Sequence, residues 1–411
     1  MDSTTSLGNY DGAALPDDRP WGPDTPGGTI FIAAAKCLWL GIPFAVCHLP
    51  GEDEVDFFCG LDRLITAPDK HYSRQHKSFE IGPWLTPWNE RITIGHHCTA
   101  HEVASSTFPE NRLTPPPKGL FVPRGNFRPD KVITKEEYLA AVAEIATLCE
   151  ARDGKTVYSR VISGTNPLLD IPLAARVLFH AFPDSFGFLY YTPMTGCWLG
   201  ASPETLLNFD IDTRRVSTMA FAGTRPACGP DIPWDDKNLR ENLFVADYIC
   251  EKFKELGIEP QISDAYTVRY GAIEHLRRDI TAILPATIEF HQLLDRLNPT
   301  PALCGTPLDA AVKDIETFEK HSRGCYGGFV GIRQNYTFDE ATSGFYEVPY
   351  NYRGFKSFVN LRSARLSIQS DGRFEVIAGG GIISQSDPLT EWVETEAKAS
   401  RLLSILSSPL L

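Results

Sequence analysis

Three glycines in a row, Gly379, Gly380 and Gly381, separate a run of strand-forming residues from a helix signal, and this juncture limits the folds open to the chain. The run VIAGGG predicts a strand that ends at a glycine corner, and Ser386-Asp387-Pro388 then opens a helix. Asp387 suits the N-cap and Pro388 the first helical position, and Glu391 falls in the first turns, where the helix dipole favours an anion. Glu391, Glu394 and Lys398 stand at i, i+3 and i+7 and so share one face, while Leu389, Trp392 and Leu403 are available for packing. A polar stripe beside a glycine corner can hold a divalent cation and an anionic ligand together. It can equally be a solvated Glu/Lys face with an i,i+4 ion pair. The rest of the chain decides between them.

A chain of 411 residues can bury a large core, as one big domain or two. Its formal net charge of −13 argues against a general nucleic-acid or anionic-membrane binder, since both need basic surface. An anionic small substrate remains open, because a local field can oppose the global one. The ten cysteines form no C-x-x-C pair. With an N-terminal stretch that has neither a basic nor an apolar leader region, they read as reduced thiols in a cytoplasmic protein. The apolar stretch 29–49 is broken by Lys36 and by Gly41-Ile42-Pro43, which fits a helix followed by a strand better than a membrane span.

In chain order, residues 1–28 are rich in Pro, Gly and Asp and read as a flexible tail. Residues 29–41 predict a helix, and 43–49 and 54–59 predict strands. His96, His97, Cys98 and His101 resemble a metal cluster but lack a second pair to complete a tetrahedral set. The proline-rich stretch 114–129 reads as a connector. Thr134 and Glu137 then form a capping box for a helix to about residue 150. Strands are expected at 155–162, 186–192, 197–202 and 216–222, and a helix at 172–182. Asp235 caps a long helix with Leu239, Leu243, Ala246, Ile249 and Phe253 on its apolar side. Helices follow at 289–297 and 308–320, and strands at 327–333, 358–366 and 374–378. Strands and helices in mixed order, with hairpins, indicate an α+β core.

Several stretches place reactive groups beside glycine or proline. Lys155 begins a strand, and a desolvated lysine there could serve as a base, although most such lysines simply edge a strand. Glu204 follows Gly200-Ala201-Ser202-Pro203 and is either a buried, protonated acid or a turn carboxylate. Residues 222–225, Ala-Gly-Thr-Arg, offer backbone amides and a guanidinium. Glu241 lies one helical turn from Lys237, its simplest partner. Arg362 alternates with apolar neighbours in a predicted strand, where a buried guanidinium needs an anion. The triple glycine is a poor dinucleotide loop, since the third glycine of that fingerprint would fall at Ser384.

Taken together, KTVYSR (155–160), GASPETLL (200–207), FAGTRP (221–226), IEHL (273–276), NPTPALCGTP (298–307), RGCYGGFVG (323–331), NLRSARL (360–366) and AGGGIISQSDPLTEWVETEAK (378–398) resemble the chorismate-utilising enzymes in order and spacing. That family includes isochorismate synthase, salicylate synthase, anthranilate synthase component I and aminodeoxychorismate synthase component I. The resemblance implies an α+β fold of large mixed or antiparallel sheets packed as a sandwich and flanked by helices. It places the chorismate-binding catalytic domain at 129–411, with residues 29–128 as an α/β region packed on it. Chorismate is the implied substrate and Mg²⁺ the implied cofactor. Glu241 and Glu394 look like the metal ligands, with Glu391 in the outer shell. Gly223, His275, Ala302, Leu303, Tyr326, Arg362, Gly379 and Lys398 match substrate-contacting positions, with Arg362 and Tyr326 facing the enolpyruvyl carboxylate.

The subfamily turns on one nucleophile position. Amine-transferring members carry Gln where this chain has Lys155, so the resemblance implies water activation by Lys155, with Glu204 as the acid, and no glutamine amidotransferase subunit. Aminodeoxychorismate synthases carry a nucleophilic lysine where this chain has Ala222. Salicylate synthases tend to carry Thr-Ala where this chain has Ala302-Leu303, and Ala-Leu looks like isochorismate synthase, an enzyme of menaquinone or catecholate-siderophore synthesis. Three positions depart from the family pattern: Asn238 and Asn242 replace an acidic residue and a histidine, and Asn298 replaces another histidine. The Tyr-rich stretch 335–356 is longer than the family needs and is either a lid or a surface insertion. Its Asn335-Tyr336-Thr337 is a glycosylation sequon by letter only.

Overall fold

The computed structural model describes residues 26–60, 77–96, 98–105, 130–227, 232–270, 273–334, 353–369 and 371–409. The expectations for residues 1–25, His97, the proline-rich stretch 114–129 and residues 335–352 lie outside the described residues.

Seventeen strands alternate with eight helices among these residues. The strands are β1 (Phe44–His48), β2 (Val55–Cys59), β3 (Lys77–Gly82), β4 (Ile92–Ile94), β5 (Lys155–Thr165), β6 (Phe186–Thr192), β7 (Gly196–Ser202), β8 (Thr205–Asp210) and β9 (Arg215–Pro226). They continue with β10 (Gln261–Ile262), β11 (Tyr266–Tyr270), β12 (Ile273–Ile283), β13 (Gly305–Thr306), β14 (Phe329–Gln334), β15 (Gly354–Val359), β16 (Ser363–Leu366) and β17 (Arg373–Ile382). The helices are α1 (Pro26–Leu40), α2 (Ala100–Ala104), α3 (Lys135–Arg152), α4 (Ile171–Ala181), α5 (Asp236–Lys254), α6 (Phe290–Leu297), α7 (Leu308–Phe318) and α8 (Pro388–Leu406). The mixed α+β class holds.

Two antiparallel sheets form the frame. One runs β13-β5-β17-β16-β7-β6-β1-β2, and the other β10-β12-β9-β8-β15-β14-β3-β4, with β11 beside β12. Alternating apolar residues turn inward from both sheets, and a single core joins Phe186, Phe188, Tyr190 and Trp198 of the first to Phe79, Leu207, Phe329 and Phe358 of the second. Phe186 and Phe358 stack across the layers with centroids 4.3 Å apart, a contact worth about 1 kcal/mol beyond its buried area. A second core lies on the outer face of the first sheet under α1, α4 and α8, which is why strands such as β6 are buried on both faces.

Local chemistry sets the helix ends. Both halves of the Thr134–Glu137 capping box are made, and Asp235 and Asp387 each accept from a backbone N–H three residues on. Three sequence expectations need correction. The glycine run is not a corner: β17 continues through Gly379–Gly381 to Ile382, paired throughout with β5, and the chain turns only afterwards. Residues 358–366 are not one strand. β15 and β16 lie in different sheets, and the chain crosses between them at Asn360-Leu361-Arg362, with Arg362 at φ 48°. Finally, α5 is rotated at its start relative to its apolar spacing: Leu239 and Leu243 are exposed, while Asn238, Glu241 and Asn242 are buried. Leu389 of α8 is likewise exposed, while Glu391 is buried. In both helices the first turns bury ion-paired polar groups instead of apolar side chains.

Candidate active site

The cavity lies where the ends of β5, β9, β12 and β17 meet the start of α5 and the middle of α8, and it encloses about 680 Å³ with its open mouth. Glu204, Gly223, Glu241, His275, Ala302, Leu303, Tyr326, Arg362, Gly379 and Lys398 all line it. Lys155, Glu391 and Glu394 are not part of that lining. They stand behind it: Lys155 pairs with Glu241, Glu394 with Lys398, and Glu391 with Lys237, which in turn pairs with Glu241.

The glycines explain how the two helices come so close. A Cβ on Gly381 would lie 2.1 Å from Glu241 Oε1 and 2.6 Å from Lys155 Cε, and one on Gly380 would lie 2.8 Å from Glu391 Oε2. Only a strand without side chains admits carboxylates from both helices.

Carboxylates and ammonium groups alternate in this corner. Lys155 Nζ is 3.0 Å from Glu241 Oε1, within ion-pair range but not aligned as a hydrogen bond. Lys237 Nζ is 3.4 Å from Glu241 Oε2 and 3.1 Å from Glu391 Oε1. Lys398 Nζ is 2.7 Å from Glu394 Oε1 and donates to the Gly379 carbonyl at 3.0 Å. Burial works to raise the pKa of Glu241, but Lys155, Lys237 and Lys398 outweigh it and hold the carboxyl well below its usual range. Glu391 goes the other way, raised by burial and by the neighbouring Glu394. Ser386 Oγ donates to Glu391 Oε1 at 2.7 Å, and Glu391 Oε2 is buried without a partner.

Glu204 occupies a different setting on the connection between β7 and β8. It is 2 % exposed, and no side chain among the described residues hydrogen-bonds its carboxyl group. Burial pushes its pKa up to about 8 against the attraction of Lys155, Lys398 and Arg362. On the facing wall Arg362 donates to His275 Nε2 at 2.5 Å, and His275 Nδ1 faces Thr224 Oγ1 at 3.2 Å. Arginine can only donate, so Nε2 is the acceptor and the imidazole is neutral. Burial, then Arg362 and Lys398, hold its pKa well below the ordinary value. Burial also lowers Arg362 to about 10.

The departures at asparagine have local explanations. Asn242 donates to the carbonyls of Ala220, Ala222 and Leu276 and accepts from Arg278, tying α5 to β9 and β12. Asn238 accepts from Thr224 N at 3.0 Å and bonds Asp235 at the helix cap. Asn298 donates to the Thr86 carbonyl at 3.2 Å. The guanidinium of Arg225, by contrast, leaves the cavity to pair with Glu274 and cover Trp234. Sequence reasoning missed Lys237, which it took for a plain i,i+4 partner of Glu241, and the ring of Phe221 in the cavity wall. No periodicity marks either of them.

Carboxylate oxygens suit a hard divalent cation, and one of them, Glu391 Oε2, is buried and unpartnered. As they stand, ammonium groups hold these carboxylates, and among the described residues no three His, Cys, Asp or Glu side chains are placed to grip an ion.

The chain belongs to the chorismate binding enzyme family, whose profile matches residues 117–407. It is 28% identical over 231 residues to isochorismate synthase MenF of Haemophilus influenzae, covering 54% of this chain and 49% of that protein. It is 31% identical over 302 residues to a putative isochorismate synthase MenF of Mycobacterium tuberculosis, covering 66% and 73%. The chain thus spans about half the length of the first of these relatives. Its fold matches MenF, the menaquinone-specific isochorismate synthase of Escherichia coli, with a TM-score of 0.66 at 20% identity over 89% of this chain and 88% of that one. No helix among the described residues is long and apolar enough to cross a membrane.

Proposed function

We propose that the chain is an isochorismate synthase that converts chorismate to isochorismate with Mg²⁺. The observation that carries this reading is Glu204, an enclosed carboxyl with its pKa raised to about 8, so that it still holds a proton at neutral pH. A departing C4 hydroxyl needs such an acid. Lys155, fully buried at the start of β5, is the base. It takes a proton from water as the water oxygen bonds to C2. The ring double bonds shift, and the C4–O bond breaks as Glu204 gives up its proton, so one water enters and one leaves. To do this Lys155 must present a free amine, which requires it to part from Glu241.

Mg²⁺ bound by Glu241 and Glu394, with Glu391 in the outer shell, would neutralise the ring carboxylate. Arg362 and Tyr326 receive the enolpyruvyl carboxylate, and neutral His275 keeps the guanidinium in place by accepting from it. Gly223, Ala302, Leu303, Gly379 and Lys398 complete the wall against which the ring is oriented. With Lys155 at the nucleophile position, the reading calls for no ammonia and no glutamine amidotransferase subunit.

The test is the full chain with chorismate and Mg²⁺, without ammonia or glutamine, and with products separated by chromatography. Isochorismate is the expected product. Salicylate with pyruvate would reassign the chain to salicylate synthase, and anthranilate formed only on adding ammonia would reassign it to anthranilate synthase. Chorismate binding without turnover would make it a non-catalytic homologue.

A further inference from the structure

Three carboxylates and three ammonium groups share the corner between α5, α8 and β17, and the three lysines are not equivalent. Lys155 is fully enclosed on a strand. Lys398 is tied to the Gly379 carbonyl as well as to Glu394. Lys237 is held by carboxylates alone: its ammonium bridges Glu241 Oε2 and Glu391 Oε1, one oxygen from each helix. It stands in the first turn of α5 with 19 % of its side chain exposed, so its four-carbon stem has an outlet to solvent. Beside the bridge, Glu391 Oε2 is buried with nothing to bind.

Buried carboxylates facing one another need a counter-charge, and removing a partner from such a cluster is strongly unfavourable. A single ammonium spanning two carboxylates does there what a divalent cation would do. Glu241 is common to the ammonium bridge and to the proposed Mg²⁺ site, with Glu391 beside both, so the two cations would crowd and repel there. Resting on the proposed magnesium-dependent reading, we infer that Lys237 is a built-in stand-in for the divalent cation: it closes the Glu241–Glu391 gap in the metal-free chain and must swing out before Mg²⁺ can bind. Metal affinity is therefore a net quantity, weakened by the ion pair that has to open. The chain stays folded with its carboxylates neutralised whether or not metal is present, and the site releases its ion readily.

The experiment is Mg²⁺ titration of the full chain without chorismate, followed by calorimetry and by melting temperature. Lys237→Gln is expected to bind Mg²⁺ about tenfold tighter or more than the parent chain. It should also melt lower than the parent in chelator and recover most of the difference at saturating Mg²⁺. Lys237→Arg, which keeps the charge, is expected to stay as weak as the parent. Should Lys237→Gln not fold, the parent chain alone decides the matter. Acetylation at Lys237, read by peptide mass spectrometry, should rise several-fold when Mg²⁺ is added. Equal or weaker Mg²⁺ binding by a folded Lys237→Gln overturns the inference, as does unchanged acetylation where that variant cannot be made. The parent assay with chorismate separates this failure from that of the proposed function. Turnover in the parent with no gain in Lys237→Gln sinks only the stand-in role, whereas tighter metal binding without any turnover sinks only the isomerase reading.

Discussion

Glu204 and Glu241 are the same residue type, both buried and both on one cavity, yet their protonation is opposite. Glu204 makes no hydrogen bond to a side chain among the described residues, and burial carries its pKa up to about 8. Glu241 is comparably buried, but two ammonium groups lie within 3.4 Å, and its carboxyl is held ionised. Burial sets how much is at stake, and contact partners set the sign. One wall of the cavity therefore carries a proton to donate, and the other a charge to place. That division of labour suits the proposed reaction, which would release a hydroxyl while a dianion is held in place.

The largest expected break in this contrast is Lys155→Gln. It should lower isochorismate formation by roughly 10³-fold or more while leaving chorismate binding in place, measured as kcat against a separate binding titration. Loss of binding instead would show that Lys155 holds the ring rather than activates water. Glu204→Gln comes next, with a loss on the order of 10²–10⁴-fold and the same retained binding. Because the acid works only while protonated, the parent activity should fall as pH rises through about 8. Stability should show the same group. The ordinary value is 4.5 and the folded value about 8, so between them the folded chain keeps a proton that the unfolded chain releases. The contribution is fully present below pH 4.5 and is lost as pH rises through about 8. Chemical denaturation across that window should slope downward in the parent and less steeply in Glu204→Gln.

How far the sequence anticipated this site depends on which physical signal each residue leaves. Caps are local, so Thr134, Asp235 and Asp387 were legible from three residues of context. Two carboxylates and a lysine spaced by helix turns announced a shared face at Glu391, Glu394 and Lys398. The crossing at Arg362 was hidden, because an alternating pattern runs straight through it and only the sheet partners, Gly200 opposite Ser363 and Glu204 near Val359, reveal two strands. The start of α5 misled for a related reason. Its leucines sit at helical spacing, but the face they mark is not the buried one, since Asn242 and Glu241 have partners on β9 and across the cavity that no local pattern encodes. The role of Lys237 needs both helices at once.

Between the two helices, Gly381→Ala should do more harm than Gly380→Ala. The first places a Cβ 2.1 Å from Glu241 Oε1 and forces the Lys155–Glu241 pair apart, whereas the second meets Glu391 at 2.8 Å. A loss of about 1–3 kcal/mol in unfolding free energy is expected for Gly381→Ala, with a smaller one for Gly380→Ala. The reverse order would mean that α8, not α5, sets the geometry of the corner.

The smallest effect sharpens the same comparison at the far side of α5. Ile249 is buried against the inter-sheet core, whereas Leu243, at the spacing that suggested an equivalent role, is 45 % exposed. Truncating Ile249 to alanine should cost about 2–5 kcal/mol, as deleted core methylenes usually do. Leu243→Ser should shift stability by no more than about 0.5 kcal/mol, because the side chain leaves no cavity behind and the helix loses only a little propensity. Urea denaturation of the two variants side by side settles which face the helix buries. If Leu243→Ser cost as much as Ile249→Ala, α5 would have to be turned so that its leucines point inward. Glu241 would then face away from the cavity, and the contrast with Glu204 would disappear with it.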